Sequence, residues 1–274
     1  MDLGIEGRVA LVSGGSKGIG FATAQRLLTA GAKVMIVARN AQTLEAARGR
    51  LAADADDRIE ALSADMTDEA GVASAIQATV DRFGPISIAI SNVVGHVIDP
   101  KEAGPHAGHF EDVAPADFMS EFKQLLLSAW YLARGVIPAM KAQGWGRIAN
   151  VGSTVAREPR WELPHMLPNA VRPAVAGLYR GLARDLAPFG ITVNNIMTGS
   201  IATERNGDYF TWLAAERGVD RGEMLAQMYA QGPIRRPGKP EEIASLIAFL
   251  SSDRARHVSG QSIAVSGGRS RHLY

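Results

Sequence analysis

Along this chain, short apolar runs rich in valine and isoleucine alternate with longer stretches of helical periodicity. That order builds a parallel sheet covered by helices on both faces. The runs at 9–13, 33–38, 59–64, 86–91, 147–152, 192–197 and 262–265 read as strands. Between them, helices are expected at 19–28, which stops at Gly31, at 41–53 after the capping residue Asn40, and at 69–82 after Thr67 and Asp68. Further helices are expected at 115–140, 171–187 and 241–250, the last behind Pro240, which suits a first helical turn. No repeat, low-complexity tract or linker breaks the order. The expected architecture is therefore one domain over residues 1–274: α/β, doubly wound, with a mostly parallel seven-stranded sheet in a three-layer α/β/α arrangement. Residues 93–114 and 198–237 fit no regular element and are expected to be variable loops at the carboxyl ends of strands, where open α/β sheets bind small molecules.

Charge nearly cancels, 29 basic against 28 acidic side chains for a net +1, so neither nucleic acid nor an anionic membrane surface is an expected partner. The absence of cysteine excludes a disulfide framework, a thiolate nucleophile and Cys-ligated zinc. His106 and His109 stand three apart in a Gly/Pro-rich stretch with no third ligand evident, and no metal site is expected. No apolar run reaches the roughly 18 residues of a membrane span. The start, Met1-Asp2-Leu3-Gly4-Ile5-Glu6, is acidic where a signal peptide is basic. A cytoplasmic protein is expected. Within the basic set lies a skew: there are six lysines, none of them between Lys141 and Lys239, and tyrosines number five.

The first apolar run leads directly into Gly14-Gly15-Ser16-Lys17-Gly18-Ile19-Gly20, and a helix opens inside that loop. Glycines allow a tight turn and close backbone approach, while the helix N-terminus presents free N–H groups to a pyrophosphate. The second run ends at Arg39-Asn40, with no Asp or Glu from Lys33 to Asn40. A carboxylate there would bond the ribose 2′-hydroxyl of NAD and repel a 2′-phosphate, whereas a guanidinium holds that phosphate. Arg39, with Lys17 as a second positive charge, favours NADP(H) over NAD(H); the plainer reading makes both of them solvated surface cations.

These residues resemble the short-chain dehydrogenase/reductase family, whose Rossmann-type domain carries a Gly-x-x-x-Gly-x-Gly loop in its first βα turn. The resemblance runs over nearly the whole chain. Asp65-Met66 is similar to the family's adenine-contacting Asp and its neighbour, and Asn92-Val93-Val94-Gly95 to its Asn-Asn-Ala-Gly. Thr198-Gly199-Ser200-Ile201-Ala202-Thr203 resembles the Pro-Gly-x-x-x-Thr segment at the nicotinamide end. Residues 236–242, 259–261 and 265–268 are similar to the C-terminal signatures. The resemblance implies an NADP(H)-dependent oxidoreductase acting on a carbonyl or secondary alcohol of a small molecule. It places the cofactor on Gly14, Ser16, Lys17, Gly18, Ile19, Gly20, Arg39, Asn40, Asp65, Met66, Asn92, Arg172, Ile201 and Thr203, and implies a homotetramer or homodimer. The stripe Trp130, Tyr131, Met140 is then core or subunit interface.

One part of the family pattern is broken. Its catalytic set is a Ser that polarises the carbonyl, a Tyr four residues before a Lys, and a relay Asn in the preceding long helix. Ser153 is similar to the Ser. Counting back from Gly190 puts Arg172 on the Lys position and Pro168 on the Tyr position, and counting back from Pro138 puts Leu125, or Gln124 with a one-residue shift, on the Asn position. No Tyr-x-x-x-Lys occurs anywhere in the chain. Arg172 keeps a charge for the ribose, but its pKa is too high for an ordinary general acid. His165, Asn169, His96 and Ser153 are the candidates for the missing proton chemistry. The plain alternatives are loop residues for the histidines and a helix cap for Asn169. Some reductases of the family are similar in carrying Asn and Arg in this helix, as Asn169-Ala170-Val171-Arg172 does. Two other readings remain open: a non-redox enzyme (cyclase, isomerase or lyase) on this scaffold, and a catalytically silent NADP(H)-binding sensor.

Overall fold

The computed structural model describes residues 2–53, 55–93, 110, 113–159, 166–230 and 232–272. Strands β1 (Val9–Ser13), β2 (Lys33–Ala38), β3 (Ile59–Ser63), β4 (Ile88–Ser91), β5 (Gly146–Ser153), β6 (Ile191–Thr198) and β7 (Ser262–Val265) form one sheet in the order β3-β2-β1-β4-β5-β6-β7. Every pairing in it is parallel. The sheet is thus wholly rather than mostly parallel, and the domain is the expected Rossmann-type α/β.

The central strands read as unbroken apolar runs because both faces are covered. Ala10 and Val12 of β1, with Val34 and Ile36 of β2, pack with Leu27 of α1 (Gly18–Thr29), Leu44 of α2 (Ala41–Ala52) and Ile247 of α9 (Pro240–Leu250). Val9, Leu11, Met35 and Val37 point the other way, onto α3 (Glu69–Phe83), α5 (Ser128–Gln143) and α6 (Met166–Leu186). The order of strands reverses between β1 and β4, which opens a crevice above their carboxyl ends.

Three expectations need correction. The long helix is interrupted: α4 (Pro115–Phe122) passes into a π turn over Lys123–Leu127 before α5 begins. Within that turn Ser128 donates its hydroxyl to the Gln124 carbonyl oxygen. Stretch 198–237 is not loop but holds two helices, α7 (Glu204–Arg217) and α8 (Arg221–Ala230), which bury Tyr209, Phe210, Leu213 and Met228 between them. Helix α6 starts at Met166, so Asn169 sits in its first turn rather than capping it. Prolines 168 and 173 disguised that start, yet a first-turn proline forfeits no helical bond. Most of 93–114 lies outside the described residues, as do His96, His106, His109, Arg160, Glu162 and His165.

Beneath the end of β5, three strands are tied by buried amides. Asn150 donates to Asn195 Oδ1 at 2.7 Å, and Asn195 donates to Ser262 Oγ at 3.3 Å. Asn150 and Asn195 are 7% and 2% exposed, so replacing Asn195 leaves a desolvated donor on Asn150. Asn195→Leu is expected to lower stability by about 1–3 kcal/mol in urea unfolding.

Candidate active site

The crevice is built from its floor. Ser13, the last residue of β1, donates its hydroxyl to the Ile90 carbonyl of β4 at 3.1 Å and accepts the Asn92 N–H at 2.7 Å. Asn92 in turn donates its side-chain amide to the Gly14 carbonyl at 3.3 Å, which fixes the start of the glycine loop. Gly14 and Gly18 hold φ of +61° and +54°, a region that disfavours any side chain. A Cβ on Gly20 would strike the Gly14 carbonyl oxygen, so the loop folds tightly onto the head of α1. Gly18, Ile19 and Gly20 open that helix, and first-turn N–H groups have no intrahelical acceptor. Ile19 packs against the core and Ser16 lies half-buried in the loop. The arrangement is a backbone cradle for a diphosphate.

At the adenosine end, Arg39 is exposed just beyond β2, and Asn40 caps α2 by accepting the Thr43 N–H at 2.9 Å. Asp65 follows β3. Partial burial raises its carboxyl, but hydrogen bonds from Thr67 and the charges of Arg39 and Lys123 outweigh that and leave it below the usual range. The side chain of Met66 is 5% exposed and belongs to the core, so only its backbone is available to a ligand. Lys17 is engaged differently from expectation: its Nζ pairs with Glu204 Oε2 at 2.7 Å.

At the opposite end, Ser153 terminates β5 half-exposed, with Oγ accepting the Val155 N–H at 3.4 Å. Arg172 of α6 borders a small cavity together with Leu125, Asn150 and Gly152. Of the two candidates for the relay position, Leu125 lines this cavity, while Gln124 donates to Ser120 Oγ at 3.2 Å. Asn169 lies one turn before Arg172, and among the described residues no donor meets its buried Oδ1. Pro173 lacks an N–H, so the Asn169 carbonyl also loses its helical partner. Thr203 caps α7 by accepting the Asn206 N–H at 3.2 Å, and Ile201 is buried and bridged to Gly238.

Two charged residues join this end that sequence reasoning missed. Glu121 of α4 is fully buried, and its charge supports that of Arg172, whose pKa is lowered by desolvation and partly restored by Glu121. Arg205, in the first turn of α7, is lowered to about 10 by desolvation and by Arg172, against the favourable field of Glu121; Arg39 lowers it further. Glu121 stands four residues before Leu125, hence on the same helical face, and that spacing was available as a signal. Nothing in the sequence marked Arg205. Of the loop after Ser153, Arg157 is exposed, while Glu158 accepts the Arg271 N–H at 3.0 Å and holds the C-terminal segment.

A separate cleft opens beside α8, lined by Ile201, Tyr229, Arg236 and Ile243 among others. Ser153, Asn169 and Arg172 do not border it. Tyr179 offers no substitute proton donor: it is 1% exposed in the core, and burial raises its phenol. Among the described residues, no group of three or more His, Asp or Glu side chains is placed to hold a metal.

A family model described as enoyl-(acyl carrier protein) reductase matches residues 14–270. The chain belongs to the short-chain dehydrogenase/reductase family. A 2,3-dihydroxy-2,3-dihydro-p-cumate dehydrogenase of Pseudomonas putida is 34% identical over 268 residues, 97% of this chain and 95% of that protein. The L-sorbose reductase of Gluconobacter frateurii, complexed with NADPH and L-sorbose, superposes with a TM-score of 0.90 at 29% identity, with all of both chains covered. An NADPH-bound short-chain oxidoreductase of Pseudomonas aeruginosa, described as containing an atypical catalytic center, superposes with a TM-score of 0.85 at 31% identity over 98% of this chain and 99% of that one. In this chain the charge of Glu121 on α4 acts on Arg172 of α6. Glu121→Gln is expected to cost roughly 3 kcal/mol in urea unfolding, because it leaves buried guanidinium charge without its carboxylate.

Proposed function

We propose that this protein is an NADP(H)-dependent oxidoreductase that interconverts a carbonyl and a secondary alcohol on a small molecule, with a proton source other than the usual tyrosine. The observation that carries the reading is the convergence of Arg172 and Leu125 on one cavity beside the Ser153 strand, above an intact glycine cradle. The folded loop, the free first-turn amides of α1 and the guanidinium of Arg39 fit a dinucleotide bearing a 2′-phosphate. When bound, such a cofactor supplies or accepts the hydride.

The chain's own residues divide the remaining work. Ser153 donates a hydrogen bond to the substrate oxygen and polarises it. Arg172, placed by Glu121, holds ribose hydroxyls without giving up a proton. Asn169 presents two acceptor oxygens with no helical or side-chain donor among the described residues, which suits it to orient a water or a substrate hydroxyl. His165 precedes α6 and remains the titratable candidate, outside the described residues. Phe118, Met119 and Trp130 are exposed along α4 and α5 while Met140 is core, which supports self-association through these helices as a homodimer or homotetramer. No helix among the described residues is long and apolar enough to cross a membrane.

Nicotinamide fluorescence titration is expected to give at least about tenfold tighter binding of NADPH than NADH, and Arg39→Ala should erase most of that preference. Equal affinities in the wild type would refute the assignment of Arg39. A carbonyl panel followed by NADPH absorbance and product analysis should yield an alcohol stoichiometric with NADPH consumed. Ser153→Ala should lower kcat by about 100-fold with the NADPH Kd unchanged. Tight NADPH binding with no alcohol from any carbonyl would instead favour the non-redox or sensor reading.

A further inference from the structure

Because the sheet is wholly parallel, β5, β6 and β7 end at one edge, and Ser153, Thr198 and Val265 stand in register across them. The chain therefore leaves β7 two strand spacings, roughly 10 Å, from Ser153. Residues 266–272 turn back over the end of β6 toward the loop that follows β5. Gly199 donates its N–H to the Val265 carbonyl at 3.0 Å, and a Cβ there would stand 2.9 Å from Ser266 Cα, so the crossing needs bare backbone. The Gly267 carbonyl accepts the Ile234 N–H at 3.1 Å, which seats the turn against the link between α8 and α9. Beyond it, the Ser270 N–H meets Ser266 Oγ at 3.3 Å and the Arg271 N–H meets Glu158 Oε2 at 3.0 Å. His272 Nδ1 lies 3.7 Å from the same oxygen, too far for a hydrogen bond. Glu158 is itself bound into the loop behind Ser153, for its N–H meets the Thr154 carbonyl at 3.0 Å. Residues 113 apart are thus tied across the edge where an open α/β sheet takes its ligand.

We propose that residues 266–272 form a clasp on the Ser153 side of the crevice, and that Glu158 is the positioning residue that fastens it through the Arg271 N–H. The loop behind Ser153 and the C-terminal segment then make one wall, which holds the carbonyl substrate and leaves the dinucleotide alone. The substrate in this statement rests on the function proposed above; the clasp rests on the bonds just described. A carboxylate accepting a backbone N–H makes one of the stronger hydrogen bonds, enough to offset part of the freedom that a chain end gives up. Loss of the Glu158 carboxylate releases both partners at once.

The test compares wild type with Glu158→Ala, Glu158→Gln and a chain ending at Ser270. Amide hydrogen exchange reads the clasp, and steady-state kinetics with NADPH and a ketone that the wild type reduces read its role. Glu158→Ala and the shortened chain are each expected to speed exchange at residues 154–157 about tenfold. Each should raise KM for the ketone about fivefold, with kcat within about twofold and the NADPH Kd unchanged. The two changes remove one tie, so Glu158→Ala in the shortened chain should cost no more than either alone, and additive losses overturn the proposal. Glu158→Gln keeps an acceptor for the Arg271 N–H and should raise KM less than about twofold. A loss as large as that of Glu158→Ala would remove the backbone bond from the clasp and overturn it. Unchanged exchange, a loss confined to kcat, or weakened NADPH binding overturns it equally. Should Glu158→Ala fail to give a cooperative melt, the shortened chain asks the same question with every loop side chain kept. A wild type that reduces no ketone would sink the proposed function, and exchange at 154–157 then decides the clasp by itself: faster in the variants supports it, unchanged overturns it.

Discussion

One hydroxyl joins the two halves of this molecule. Ser13 accepts from Asn92 and donates to Ile90, and so bonds the carboxyl ends of β1 and β4 where the strand order reverses. Both strands are covered on both faces, so the carboxyl edge is where the chain can turn backbone toward a ligand. Asn92 carries that fixation one step further, through its bond to Gly14. The turn of the glycine loop onto the head of α1 starts from this anchored edge.

The proposed exchange of the family's lysine for Arg172 and its tyrosine for Pro168 would change more than proton supply. A lysine ammonium is compact and adjusts its pKa readily, whereas a guanidinium is planar, stays charged and demands several acceptors. The chain meets that demand with the fully buried Glu121 from α4. The proline, placed in the first turn of α6, costs the helix nothing, while Pro173 one turn on strips a donor from the Asn169 carbonyl.

The sheet was legible because each central strand is buried on both sides and reads as a solid apolar run, and the glycine loop because its spacing is dictated by backbone geometry. Arg172 and Leu125, singled out by counting, line one cavity. Helices α7 and α8 were not legible, since their shared core is small, with Tyr209, Phe210, Leu213 and Met228 buried and Trp212, Met224, Leu225 and Tyr229 partly so, among Gly, Asn, Asp and Arg. The π turn leaves no trace in residue type. The pairing of Lys17 with Glu204 joins residues 187 apart, beyond the reach of local pattern. Glu121 shows its spacing from Leu125 in the sequence, but its burial becomes visible once α4 is set against α6.

The leucine in the π turn has a consequence for traffic. Leu125, 6% exposed, borders the cavity with a side chain that neither donates nor accepts. That part of the wall is hydrocarbon and passes no proton. A proton reaching this cavity travels along its other walls, where Asn150 and Arg172 carry the polar groups.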